Sequence, residues 1–198
     1  MTRTQAPHLP DTTQLARLLA WRGAWISLMN TRVASGRRRS HPVPAVPRTI
    51  LYAAEAVVQG GRDGAGRASE GGLDVDLSVP AEMSGNGGPG TNPEQLFAVA
   101  YAASFQSVLL GIARGRSLDA SGSQITCQVG IGPAGNGSFG LMVSLDLQAP
   151  NMTVTEAADL MARAHERCPY SAATQDNIEV TLTVAGMPLA QAGEAAAC

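Results

Sequence analysis

Few residues in this chain are equipped for covalent chemistry. Two of the three histidines fall in the first 48 residues, leaving His165, and the thiols are Cys127, Cys168 and Cys198. A serine nucleophile needs a base and an orienting partner beside it. Ser104 lies in the stretch AYAASF, without the glycine elbow G-x-S-x-G, so a serine hydrolase is a poor reading. The three cysteines form neither a C-x-x-C zinc pattern nor a dense disulfide framework. The glycine-rich loops lack the lysine and the spacing of a phosphate cradle. What remains is four short segments: GGRDG at 60–64, GTNPEQLF at 90–97, AYAASF at 100–105 and HERCPYS at 165–171.

Taken one at a time, these residues have plain structural roles. Arg62 in a glycine turn reads as a solvated loop arginine. Glu94 reads as a first-turn carboxylate complementing a helix dipole. Cys168 and Cys127 read as small buried hydrophobes, one closing a helix and the other on a strand face. Cys198 reads as an exposed incidental thiol, and His165 as structural. Phe97, Tyr101, Phe105 and Tyr170 read as packing residues, with a share in a pocket wall.

The elements that must position them follow from pattern. Residues 50–59 (ILYAAEAVVQ) read as a strand, 60–64 as a tight turn, and 73–79 (LDVDLSV) as a strand alternating apolar and polar at period two, which makes a hairpin. Residues 84–90 (SGNGGPG) form a loop. Asn92 then caps a helix with Pro93 at its first position, running to about Arg114. That helix is apolar on nearly all sides and should be buried. Strands at 123–131 and 139–147, joined by a glycine-rich turn, form a second hairpin. Thr153-Val-Thr-Glu156 is a capping box opening a helix to about Arg167. A strand at 178–184 comes last, and the Ala/Gly-rich residues from 185 onward read as a flexible tail. The layout is α+β, without the alternation of a Rossmann sheet.

A chain of 198 residues is about one domain, and 44% apolar residues suffice for a core. Aromatic residues at 4% argue against a stacking platform for nucleic acid. No apolar run reaches the ~18 residues of a membrane helix without interruption, so a soluble protein of the reducing cytoplasm is expected. Charge is divided unevenly: residues 1–48 hold eight Arg against one acid, net +7, whereas the rest holds six Arg against 15 acids, net −9. The basic stretch contains one helical segment, 13–29, and then Pro42, Pro44 and Pro47, which forbid continuous helix. Transit peptide, nucleic-acid arm and disordered arm are its three readings, and composition favours the last.

In order, and over residues 49–184, the four segments resemble the Ohr subgroup of the OsmC/Ohr family of organic hydroperoxide resistance proteins, as do LDVDLSVP, VGIGP, FGL and NIEVTLTV. The resemblance implies an intertwined α+β homodimer, with antiparallel sheets around a buried central helix and active sites at the interface. It implies a peroxidatic cysteine in the central helix, a resolving cysteine at Cys168, and Arg62 with Glu94 as the pair that activates the thiol and orients the peroxide. It also implies an organic or fatty-acid hydroperoxide substrate and no bound cofactor. The implied reductant is the lipoyl group of partner proteins, served by dihydrolipoamide dehydrogenase. Neither nucleic acid nor membrane is an expected partner.

At the peroxidatic position this chain has Ser104. A serine hydroxyl does not ionise near neutral pH and has no sulfenic state, so the oxidation ladder has no first rung there. Two origins stay open, a serine introduced in place of cysteine and a natural loss of the thiol. Three functions follow: a hydroperoxide reductase lacking its attacking group, a non-catalytic binder of apolar ligands, and a one-cysteine peroxidase working through Cys168.

Overall fold

The structure, a computed structural model, describes residues 49–135 and 137–194. The basic stretch 1–48, its expected helix at 13–29 and Cys198 lie outside the described residues. The first sheet is antiparallel, with strands β1 (Ala56–Gln59), β2 (Ala65–Ala68) and β3 (Asp74–Asp76) in that order. Strand β1 is shorter than the pattern of residues 50–59 suggests. Ile50, Leu51 and Tyr52 are largely exposed and add no ladder, because no strand among the described residues lies beside them. The expected hairpin is also interrupted: β2 pairs with both β1 and β3. Its sequence, AGRA, has no apolar alternation by which to announce a strand.

Helix α1 (Pro93–Gly115) begins as its sequence dictates, with Asn92 Oδ1 accepting from the Gln95 N–H at 2.9 Å and Pro93 at the first position. Strands β4 (Gln124–Pro133) and β5 (Phe139–Gln148) form a ten-residue antiparallel ladder. Helix α2 (Val154–Arg167) starts at a complete capping box, in which Thr153 accepts from the Glu156 N–H and Glu156 accepts from the Thr153 N–H. Because α2 crosses over between them, β6 (Glu179–Val184) runs parallel to β5, so the second sheet is mixed where antiparallel sheets were expected. Two further elements sit where a flexible tail was expected: β7 (Met187–Pro188), paired with β6, and helix α4 (Leu189–Glu194), with Ala192 fully buried. Between α2 and β6 lies a short helix α3 (Pro169–Thr174) that the sequence did not announce.

The core lies between the four-stranded sheet and the helices. Val143, Leu145 and Leu147 alternate inward from β5 and meet Tyr101, Phe105, Leu109 and Ala113 of α1 and Leu160, Met161 and Ala164 of α2. Those α1 residues recur every four positions, so one face of the helix is covered. The opposite stripe, Val99, Ala103, Ser107 and Gly111, is exposed, with Val99 at 70%. The all-round apolar helix is therefore not fully buried among the described residues: β4 and α2 pack on it, and its stripe of Val99, Ala103, Ser107 and Gly111 stays exposed. By length and composition alone α1 is also apolar enough to cross a bilayer, which corrects the expectation that no segment is. Its inner face packs as a core helix does.

Candidate active site

The turn between β1 and β2 presents Arg62. Gly60 sits at φ 81°, a left-handed value that favours glycine, and a Cβ on Gly64 would overlap the Gln59 carbonyl. The single helical turn Gly61–Asp63 aims the guanidinium at the start of α1. There Arg62 Nη1 and Nη2 donate to Glu94 Oε2 and Oε1 at 2.9 and 2.7 Å, a two-pronged ion pair. Glu94 is 12% exposed in its side chain and Arg62 36%. The hydrogen bonds from Arg62 hold the Glu94 carboxyl below its usual range against the opposing pull of burial, and the Arg62 guanidinium is held more firmly protonated by the same bonds.

A cleft of about 330 Å³ opens beside this clamp. It is lined by Phe97 and Pro93 of α1 and by Val129, Ile131, Phe139 and Leu141 of the β4–β5 hairpin. A guanidinium at the edge of an apolar cleft suits a ligand with an oxygen-bearing head and a greasy body. The wider cleft of about 600 Å³ between residues 76–79 and 84–90 is open, mixed in polarity, and contains neither Arg62 nor Glu94. The four hairpin residues were not singled out from sequence, although their every-other-residue spacing on β4 and β5 marks a shared face.

Cys168 is fully buried at the junction of α2 and α3, where its N–H donates to the Ala164 carbonyl at 2.9 Å. Its Sγ lies 3.7 Å from Ser104 Oγ across from α1. The structure thus assembles the four expected residues as two pairs, Arg62 with Glu94 and Ser104 with Cys168. Rings bridge the two: Phe97, which lines the cleft, stacks on Tyr101 at 5.8 Å and Tyr170 at 6.2 Å, and Tyr101 meets Tyr170 at 5.7 Å. Tyr101 is buried. Its phenol bonds Ser171 Oγ at 2.9 Å and Thr174 Oγ1 at 3.3 Å. Burial raises the Tyr101 pKa, and the two hydrogen bonds oppose that rise.

The other titratable candidates keep their structural roles. Burial pushes the Cys127 thiol up to about 12, which leaves it protonated and unreactive. His165 Nδ1 is buried without a hydrogen-bond partner among the described residues, and burial lowers the pKa of the ring.

The profile of the OsmC-like protein family matches residues 85–183. The organic hydroperoxide resistance protein of Xanthomonas axonopodis pv. citri is 46% identical over 142 residues, which covers 71% of this chain and 99% of that protein. Organic hydroperoxide resistance protein OhrB of Bacillus subtilis is 37% identical over 133 residues, 67% of this chain and 96% of the relative. The crystal structure of that OhrB superposes with a TM-score of 0.64, at 36% identity over 68% of this chain and 99% of that one. An organic hydroperoxide resistance protein from Elizabethkingia anophelis, crystallised with thiocyanate bound, gives a TM-score of 0.65 at 41% identity, over 68% of this chain and 96% of its own.

Fold and matches together define an OsmC-like protein. The chain belongs to the OsmC/Ohr family, within its Ohr subgroup of organic hydroperoxide resistance proteins.

Proposed function

We propose that this chain has the architecture of an organic hydroperoxide reductase whose attacking position is held by Ser104, so that it receives hydroperoxides without reducing them. The observation that carries the reading is the 3.7 Å contact between Ser104 Oγ and Cys168 Sγ. A thiol at position 104 would stand beside a second, buried thiol, close enough for a small side-chain rotation to join them. The reaction this arrangement serves begins with a thiolate attacking one oxygen of the hydroperoxide. The O–O bond breaks, the sulfur keeps the terminal hydroxyl as sulfenic acid, and the alkoxide takes a proton from water and departs as the alcohol. The Cys168 thiol then displaces water to form a disulfide, which a lipoyl dithiol on a partner protein, kept reduced by dihydrolipoamide dehydrogenase in the cytoplasm, reduces. Arg62, fixed by Glu94, faces the cleft with N–H groups that suit the departing oxygen.

A homodimer belongs to this reading. Glu94 and Ser104 stand ten positions apart on α1, about 15 Å of helical rise, so one chain keeps its clamp and its Ser104 separate. The exposed stripe of Val99, Ala103, Ser107 and Gly111 is small enough for a facing helix to approach closely. A second copy seated there covers the stripe and brings the clamp toward the partner subunit's Ser104.

The test is Ser104→Cys. This variant is expected to gain lipoamide-dependent turnover of cumene or fatty-acid hydroperoxide, while the Ser104 protein shows none. Robust turnover by the Ser104 protein ends the reading. The intact clamp and apolar cleft favour a second function, retention of an apolar ligand without chemistry. Calorimetric titration of the Ser104 protein with a fatty acid tests it, and no heat of binding would leave it unsupported.

A further inference from the structure

We infer that Tyr101 is a positioning residue: its phenol ties the short helix α3 to α1 and thereby sets the approach of Cys168 to position 104. The chemistry of this role rests on the hydroperoxide reading above, whereas its geometry comes from contacts within one chain. Helix α3 has six residues and no side-chain cap at its start, so it cannot hold itself in place. Cys168 is the residue on which it begins, in an extended conformation between α2 and Pro169. Any swing of α3 therefore moves the sulfur.

What holds α3 against α1 is ring contact and a chain of hydroxyls. The Tyr101 and Tyr170 rings lie 5.7 Å apart. The Thr174 hydroxyl donates to the Tyr170 carbonyl at 3.0 Å, so toward Tyr101 it acts as acceptor. The assignment in which Ser171 donates to Tyr101 and Tyr101 donates to Thr174 then gives every member a partner. All three side chains are buried, with Tyr101 fully so. Along the same covered face of α1 the neighbours Phe105 and Leu109 are purely apolar. A phenylalanine at 101 would keep the ring contacts and remove only the hydroxyl that reaches Ser171 and Thr174. Ser104 lies three residues further on, one turn away, so the tether and the reacting position share one rigid stretch of helix.

The step this serves is the second one. With Ser104→Cys, the introduced thiolate attacks the terminal oxygen of the hydroperoxide, the O–O bond breaks to leave a sulfenic acid, and the alkoxide takes a proton from water and leaves as the alcohol. The Cys168 thiol then attacks the sulfenic sulfur, forming the S–S bond and releasing water. Only this closure depends on where α3 holds the Cys168 sulfur.

The experiment compares Ser104→Cys with the double variant Ser104→Cys, Tyr101→Phe. Stoichiometric cumene hydroperoxide is added, and three signals are followed: peroxide consumed, sulfenic acid trapped by dimedone, and the mass loss of disulfide formation. The first step is expected to stay within about twofold. Closure is expected to slow by at least about tenfold, the size of effect carried by a lost buried hydrogen bond, with a matching rise in dimedone adduct. Equal closure rates in the two proteins overturn the proposal, and so does a fall of both steps together, which marks a merely structural role. If the Tyr101→Phe double variant does not fold, Thr174→Val and Ser171→Ala in the Ser104→Cys background test the same tether from the α3 side under the same criteria. If Ser104→Cys consumes no hydroperoxide, the functional reading fails by itself, and closure of the same pair driven by diamide still decides the role of Tyr101.

Discussion

The two sheets of this protein are built on different terms. The four-stranded sheet lies over α1 and α2 and buries Val143, Leu145 and Leu147 completely. The three-stranded sheet exposes all four residues of β1, including Val57 and Val58, and the apolar residues 50–52 before it. One region is stabilised by area that its own chain removes from water. The other carries apolar area that nothing among the described residues covers. The candidate site divides along the same line. Ser104 and Cys168 sit at the edge of the self-covered core, whereas Arg62 is carried by the turn of the uncovered sheet and reaches the core helix through its two hydrogen bonds to Glu94. A reaction that needs both pairs must draw on both regions.

The contrast can be broken most sharply in the core. Leu145→Ala, at a fully buried position, should cost about 2–5 kcal/mol in urea unfolding, whereas Val57→Ala should stay within about 0.5 kcal/mol for an isolated chain. A large loss at Val57 would show that this face is covered in solution. Next in size, Arg62→Ala in the Ser104→Cys background should lower kcat/KM for cumene hydroperoxide on the order of 100-fold, as loss of a preorganised donor does. An unchanged rate would remove the clamp from the mechanism. On the proposed dimer, Val99→Arg sets a charge on the exposed stripe of α1 and should halve the mass seen by light scattering. A mass unchanged from that of the parent protein would place the interface elsewhere.

Smaller effects attach to protonation. Glu94 has its folded pKa below its ordinary value of 4.5. The stabilisation from its ion pair is therefore fully present above pH 4.5 and is lost as pH falls through the lower folded value. Acid titration of stability should show that loss in the parent and not in Glu94→Gln, and identical profiles would mean that the pair adds nothing. Smallest is Cys127. With its thiol at about 12, iodoacetamide at pH 8 should leave it unlabelled in the native protein.

Local chemistry made much of the secondary structure legible. Asn92-Pro93 and Thr153 with Glu156 announced both long helices because capping depends on neighbours in sequence. Strand β2 was not legible, since Ala65-Gly-Arg-Ala68 becomes a strand only through the β1 and β3 ladders on either side. Helix α3, the parallel ladder of β6 and the α4 segment were hidden for the same reason. The roles of Arg62, Glu94 and Cys168 came from motif resemblance, and no pattern in the chain announced Tyr101 as a tether or Phe139 as a cleft wall.

By itself, the sequence determined what each position can do chemically. Ser104 brings a hydroxyl that does not ionise, Cys168 a thiol, and Arg62 a permanent charge, because those properties belong to side chains wherever they lie. Tertiary structure alone decided which of them meet. Contacts such as 3.7 Å between Ser104 and Cys168, or 2.7 Å between Arg62 and Glu94, join residues 64 and 32 positions apart. Distances across such separations are set by how the helices and sheets pack, and no local preference of the chain encodes them.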